Sequence, residues 1–307
     1  MLVFLGILLD TVAMEMRLEI PDGKVAELQQ LIAKWSPKQA GKKRELLSLI
    51  GKLSHAAKIV VPGRIFLRRM IDTANKAKQL DHWIHLTTDF KSDLAWWRTF
   101  LQFWNGKSMM RVITPLQPPA FTITTDASGS WGCGAYCLET HKWLQRPWLG
   151  RWEHVPIHTK ELLPILLAAA TWGACWRDSH ILFKCDNMAV VNILASSTSR
   201  DPLVMHLLRM LHFILAFNNV HLIAKHIAGS NNSIADAISR NLPQVLFSQA
   251  PEAEPQPTPI PEPLWDILVI RQPDWLSDIW RTSLIASLTT ASPPIPGKPT
   301  LRRKQDT

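Results

Sequence analysis

Between residues 121 and 241 the chain changes its hydrophobic period in a fixed order, and that order admits few folds. FTITTD (121–126) alternates apolar and polar residues, as a half-buried strand does. WGCGAYCL (131–138) follows as a second strand through the turn Ala127-Ser128-Gly129-Ser130, and Trp143–Trp152 holds a third strand with its turn. A long helix then runs from His158 to Trp176, carrying Leu162, Leu163, Ile165, Leu166, Leu167 and Trp172. HILFKCD (180–186) is a fourth strand, helices follow over 188–194 and 202–217, VHLIAKHI (220–227) is a fifth strand, and a last helix covers 233–241. An antiparallel meander followed by crossover units predicts an α/β domain over 119–242: a mixed five-stranded sheet with flanking helices.

The flanks read differently. Residues 21–115 are mainly helical, with apolar residues at helical spacing in four segments: Val25 to Trp35, Lys43 to Ile59 (ended by Pro62-Gly63), Arg64 to Lys78, and Asp89 to Trp104. The aromatics of the fourth segment, Trp96, Trp97, Phe100 and Trp104, read as core first and as base-stacking platforms second. The stretch Pro115-Leu116-Gln117-Pro118-Pro119 reads as a linker between this region and the sheet. From 243 to 307 the chain turns proline-rich, as in PEAEPQPTPIPEP (251–263), a composition that predicts a largely disordered linker and tail with short amphipathic pieces at 264–270 and 275–288. MLVFLGILL opens the chain with an apolar run, but Asp10 ends it after nine residues, too short to span a bilayer. It reads as a buried strand within a residual unit, 1–20, whose sheet partners lie elsewhere. The apolar run Leu162–Ala170 is interrupted by Pro164, so no membrane partner is expected.

A formal net charge of +9 favours a polyanionic partner, nucleic acid before an anionic lipid surface. Lys42, Lys43, Arg44, Arg64, Arg68 and Arg69 concentrate that charge in the helical region, where they serve either as phosphate contacts or as a solvated face. The cysteines, Cys133, Cys137, Cys175 and Cys185, form no CxxC pair and no zinc-ligand spacing; they read as reduced thiols of a cytoplasmic or nuclear protein.

Four acids sit where chemistry is done in such a sheet. Asp126 ends the first strand, Glu161 lies in the first turn of the long helix, Asp186 ends the fourth strand and precedes Asn187, and Asp236 lies in the last helix. If the strands of Asp126 and Asp186 are parallel neighbours, both carboxylates emerge at one sheet edge, and the helices can bring Glu161 and Asp236 to it. Singly each is an ordinary strand-end or helix-start acid. Together they repel one another unless cations neutralise them. Their hard oxygens select Mg²⁺ or Mn²⁺, and two such ions suit in-line hydrolysis of a phosphodiester.

TTDASGSWGCGAY, HTKELLPIL, FKCDN and HIAGSNNSIADAISR resemble the four motif regions of the ribonuclease H domain of long-terminal-repeat and related retroelements. The resemblance implies catalytic and metal-binding roles for Asp126, Glu161, Asp186 and Asp236. It also implies an assisting role for His226, which equally suits a strand-end histidine satisfying the backbone, and substrate contacts from Ser128 and Asn187. The ADAISR string is similar to the closing motif of gypsy-type elements. Upstream, FLGILLDT resembles the passage from a reverse transcriptase palm to its thumb, and ELLSLIGKLSHAAKIVVPGRIFLRRM resembles the thumb and connection of DIRS-type elements. The resemblance spans residues 1–242. No Asp-Asp pair occurs in the chain, so the polymerase site is expected to lie outside it, in the remainder of a larger reverse transcriptase. Three readings remain open: a hydrolase of RNA–DNA hybrids, an inert or co-opted remnant that binds nucleic acid, and an unrelated structural or interaction protein.

Overall fold

The structure, a computed structural model, describes residues 2–4, 7–10, 17–20, 22–103, 107–109, 118–152 and 154–261. In chain order the N-terminal part contains β1 (Leu2–Phe4), β2 (Ile7–Asp10), β3 (Arg17–Glu19), α1 (Asp22–Trp35), β4 (Ala40–Lys42), α2 (Lys43–Ala56), α3 (Arg68–Asn75), β5 (Trp83–His85), α4 (Thr88–Phe103) and β6 (Lys107–Met109). β7 (Phe121–Ala127), β8 (Gly132–Cys137), β9 (Trp143–Pro147), α5 (Ile157–Trp172), β10 (His180–Cys185), α6 (Met188–Ser196), α7 (Pro202–Phe217), β11 (His221–His226), α8 (Ser233–Ser239) and α9 (Pro243–Gln249) follow. Trp104, most of the expected 115–119 linker and the pieces at 264–270 and 275–288 lie outside the described residues.

The α/β architecture expected from the sequence is present: a mixed five-stranded sheet in the order β11-β10-β7-β8-β9, flanked by helices. β7, β8 and β9 form the antiparallel meander, while β10 lies parallel to β7 and β11 parallel to β10. Capping residues start the crossover helices where the sequence places them. Asp201 accepts hydrogen bonds from the Leu203 and Val204 amides with Pro202 at the first helical position of α7, and the Asn187 side chain does the same for α6 through Ala189 and Val190.

Helices cover both faces of β8, and its six residues are all buried. Cys133, Ala135 and Cys137 belong to the main core, with Leu162 and Leu166 of α5 and Leu207 and Leu211 of α7. Tyr136 belongs to a second cluster with Trp143, Ala237, Ile238, Leu246, Ala250 and Ala253. α8 comes so near the sheet that a Cβ on Gly134 would lie 2.2 Å from Ile238 Cγ2, so this approach requires glycine there.

α5 runs on through Pro164, within the long helix expected here. The missing N–H costs on the order of 3 kcal/mol in an isolated helix. Here the helix is held from all sides, since every residue from Thr159 to Ala170 is buried.

Three further departures concern the flanks. The N-terminal apolar run is not a lone strand: β1, β2, β3 and β6 pair in that order into an antiparallel sheet. The helical region also contains the two-stranded ribbon β4–β5, too short to show a period in the sequence. The segment after 242 was expected to be a linker, but Pro243–Gln249 is a helix, and the chain beyond it pairs with the meander. Glu254 N donates to His141 O (3.0 Å) and Thr258 N to Trp143 O (2.7 Å), covering the outer edge strand β9.

The helical region and the sheet share one continuous core rather than being joined by a linker alone. Trp96 of α4 stacks on Phe66 (ring centroids 3.9 Å apart) and on Phe100 (4.9 Å), and meets Phe213 of α7 edge-on at 6.4 Å. These aromatics are core, as their helical spacing predicted.

Candidate active site

The sheet register brings the first two acids together. β7 and β10 run parallel with Thr125 opposite Cys185, so Asp126 and Asp186 are the next residues along neighbouring strands, at the same end. On α5, the Glu161 carboxylate groups with Asp186 and the Cys185 thiol, their ligand atoms all within 4.8 Å of one another. α8 brings the fourth acid: Asp236 lies close enough to raise the Asp126 pKa by charge repulsion. Two hydrogen bonds fix that helix on the strand. Asn232 Nδ2 donates to Thr125 O (3.0 Å), and Ser239 Oγ donates to Asp126 Oδ2.

Burial and mutual repulsion make this cluster short of positive charge. Burial pushes Asp126 up to about 6, the Ser239 hydrogen bond pulls against it, and the charges of Asp186 and Asp236 add to the rise. Burial also drives Glu161 up to about 9, with Asp126 and Asp186 adding to it and hydrogen bonds from Cys185 and the Ala127 amide opposing. A buried carboxyl that takes up a proton at neutral pH marks a place where a cation would be favoured. The donor set fits hard divalent ions: four carboxylates supply oxygen ligands, while burial pushes the Cys185 thiol up to about 12 and raises the nearby Cys133 thiol as well, so both stay thiols.

The remaining residues singled out in the sequence divide. His226 stands opposite Cys185 in the β10–β11 register, on the rim of the carboxylate cluster, and its Nε2 lies 3.1 Å from the Asp186 carbonyl oxygen. The backbone role expected as its alternative is therefore occupied. Ser128 is not available to nucleic acid. It is buried, and its Oγ accepts from the Trp131 and Gly132 amides (3.0 and 2.9 Å), pinning the β7–β8 turn. Asn187 uses its Oδ1 to cap α6.

Among the cations, Arg69 departs most from expectation. Its guanidinium bonds both oxygens of Asp93, which is fully buried, and reaches Asp89 at 2.8 Å. Burial works against its charge, but the Asp93 and Asp89 carboxylates more than offset this, and its pKa rises above the ordinary arginine value. Arg44 pairs with Asp81 (3.3 Å), Arg68 with Asp72 (3.2 Å), and Lys43 Nζ donates to Ala77 O (2.7 Å). Arg64 is exposed and Lys42 half-buried. None of these six touches the carboxylate cluster through a described hydrogen bond or ion pair.

Two contributors to the site were not singled out in the sequence, although both lie in NNSIADAISR. Ser239 bonds Asp126, and Arg240 Nε lies 2.6 Å from Asp236 Oδ1. Their helical spacing from Asp236, three and four residues on, was the available signal: it places all three on one face of α8.

No protein-family model matches the chain, and no curated protein sequence matches it. Among solved structures it is similar to RNase H1 from the halophilic archaeon Halobacterium salinarum, with 13% identity over 40% of this chain and 97% of that one (TM-score 0.33). It is also similar to the N-terminal RNase H domain of a Mycobacterium tuberculosis protein solved as a maltose-binding-protein fusion, with 10% identity over 43% and 99% of the two chains (TM-score 0.33). A foamy viral protease–reverse transcriptase in complex with an RNA/DNA hybrid is similar over 73% of this chain and 29% of its own, at 10% identity (TM-score 0.28).

Proposed function

We propose that the chain is a ribonuclease H-type endonuclease that cleaves the RNA strand of RNA–DNA hybrids by two-metal-ion hydrolysis, as part of a retrotransposon reverse transcriptase. One observation carries this reading: Asp126, Glu161, Asp186 and Asp236 converge at the end of the parallel strands β7 and β10, where burial and their charges together raise the pKa values of Asp126 and Glu161. The motif strings around these acids and the chain's net charge of +9 support it further.

Asp126, Glu161, Asp186 and Asp236 would hold two Mg²⁺ or Mn²⁺ ions, which when bound activate a water and neutralise the leaving oxygen. The protein's own contribution is placement. The β7–β10 register fixes Asp126 beside Asp186, and Ser239 holds the Asp126 carboxylate in place. Glu161, which burial keeps protonated at neutral pH, would have to give up that proton to serve as a ligand. His226, at the rim with Nε2 on the Asp186 carbonyl, is positioned to steady that strand end.

A second reading, a nucleic-acid binder without catalysis, draws on the Arg240–Asp236 pair, which already supplies one positive charge to the cluster. A hybrid labelled on its RNA strand separates the two. The nuclease reading expects cleavage with Mg²⁺ or Mn²⁺, none with EDTA, and a loss of orders of magnitude in Asp186→Asn. Binding of the hybrid without cleavage under any divalent ion would favour the second.

A further inference from the structure

We propose that the outward face of the β4–β5 ribbon, centred on Trp83, binds a single-stranded segment of nucleic acid next to the duplex handled by the carboxylate site. This deepens the nuclease reading and rests on it for the identity of the duplex.

Trp83 is 68% exposed, whereas Trp35, Trp96, Trp97, Trp143, Trp152, Trp172 and Trp176 are all buried. The ribbon forces this exposure. Ile84 and Gly41 face the core, so Trp83 and His85 on β5, with Lys42 directly opposite Trp83 on β4, turn outward. Beside them is an open depression of about 670 Å³ whose lining includes Lys76, His82, Trp83 and His85. Its one acid, Asp81, is tied to Arg44. Some cations of the helical region are matched by acids, as in Lys38–Glu45, Lys52–Glu27 and Arg69–Asp93, while others, such as Lys58 and Arg64, are not matched among the described residues. Among the described residues, Lys42, Lys76 and Lys78 have no carboxylate partner.

An indole held in water, with Lys42 across the ribbon and Lys76 in the adjoining depression, suits a ligand that is both planar and anionic. A nucleotide offers both: a base to stack on the ring and a phosphate for the lysines. The base must be unstacked to present its face, which selects a single strand over a duplex. A large apolar partner is less well matched, because the depression beside the ring is lined by Lys76, Asp81, His82 and His85.

The test is hybrid binding by the full chain in EDTA, where cleavage plays no part. A blunt hybrid is compared with one carrying a single-stranded tail. The wild type is expected to prefer the tailed hybrid by about fivefold or more, the range of one base–aromatic stack. Trp83→Ala should abolish the preference and leave blunt binding unchanged, while Trp83→Phe should keep most of it. Unaltered thermal unfolding of Trp83→Ala serves as the folding control. An equal preference in wild type and Trp83→Ala would overturn the proposal. So would a wild type with no tail preference, or a Trp83→Ala effect seen only as loss of self-association in light scattering. Because binding is read without cleavage, an inactive protein that keeps the tail preference would sink the nuclease reading and spare this one.

Discussion

Ser239 on α8 donates a hydrogen bond to the Asp126 carboxylate on β7, tying the helix that carries Asp236 to the strand that carries Asp126. The bond opposes the burial that lifts Asp126 to about 6. Ser239→Ala removes that opposition, so the carboxyl holds its proton to a higher pH and competes longer with divalent ions. The acid limb of the pH–rate profile should move up by about one unit, the scale of one hydrogen bond to a charged group. Cleavage should fall about threefold at pH 6.5, approach a roughly tenfold loss below about pH 5.5, and change little at pH 9. A loss of equal size at every pH would show that the serine acts through packing alone.

The same cluster sets how metal-free stability depends on pH. Glu161 has its folded pKa raised to about 9 from an ordinary value of 4.5, and Asp126 is raised to about 6 from 3.8. For raised groups the stabilising contribution is complete below the unfolded pKa and is lost as pH rises through the folded one. His206 works in the opposite direction. Burial, with Arg209 and Arg69 adding to it, lowers it to about 4 from 6.5, so its contribution is lost as pH falls through that window. Above pH 7 only Glu161 among these three still titrates. In EDTA the melting temperature should therefore fall by several degrees between pH 7 and 9. Glu161→Gln should flatten that slope, and saturating Mg²⁺ should flatten it in the wild type. A slope unchanged in Glu161→Gln would place the titrating group elsewhere.

The sheet was legible because its segments alternate cleanly and its helices begin at capping residues such as Asp201 with Pro202. The acids were legible because strand ends and helix starts follow from those elements. What local pattern did not reveal is long-range pairing. Arg69 reads as a phosphate contact until α4 brings Asp93 to it. Ser128 reads as a substrate contact until its hydroxyl is seen closing its own turn. The ribbon β4–β5 is three residues a side, shorter than any period can declare.

The segment after 242 misled for a related reason: its composition is that of a linker, yet a few apolar residues suffice to dock it. Leu246 and Ala250 are buried against Tyr136, Trp143 and Ile238, on the face of the sheet opposite the main core. Leu246→Ala should cost about 2–5 kcal/mol. Because α9 follows α8 directly, part of that loss should appear as looser α8 docking and weaker divalent binding. Denaturant titration and Mn²⁺ titration of the same variant check the two together. A stability change below about 0.5 kcal/mol, the level of an ordinary surface substitution, would mean the helix is only loosely held.

Asp93 decides whether the helical region and the sheet behave as one unit. Its carboxylate is fully buried between Arg69 of α3 and Arg209 of α7, with Arg209 Nε at 3.6 Å. The aromatic contacts of Trp96 with Phe66 and Phe213 lie in the same interface. Asp93→Asn would leave the buried Arg209 guanidinium facing the half-buried Arg69 without their shared counter-charge, Asp89 remaining on Arg69 alone. Breaking such a cluster from one side costs on the order of 3–5 kcal/mol. Replacing the whole cluster with apolar residues, as in Asp93→Leu with Arg69→Met and Arg209→Met, should recover much of that, since the desolvation of all three charges is then avoided. A chain held this way should unfold in one transition, with tryptophan fluorescence and far-ultraviolet circular dichroism coinciding. Residues 116–261 expressed alone should be poorly soluble, because Phe213 and its apolar neighbours on α7 lose their cover. Two separated transitions in the wild type, or a stable soluble 116–261 fragment, would show that the shared core is not needed by the sheet and that the helical region is an independent unit.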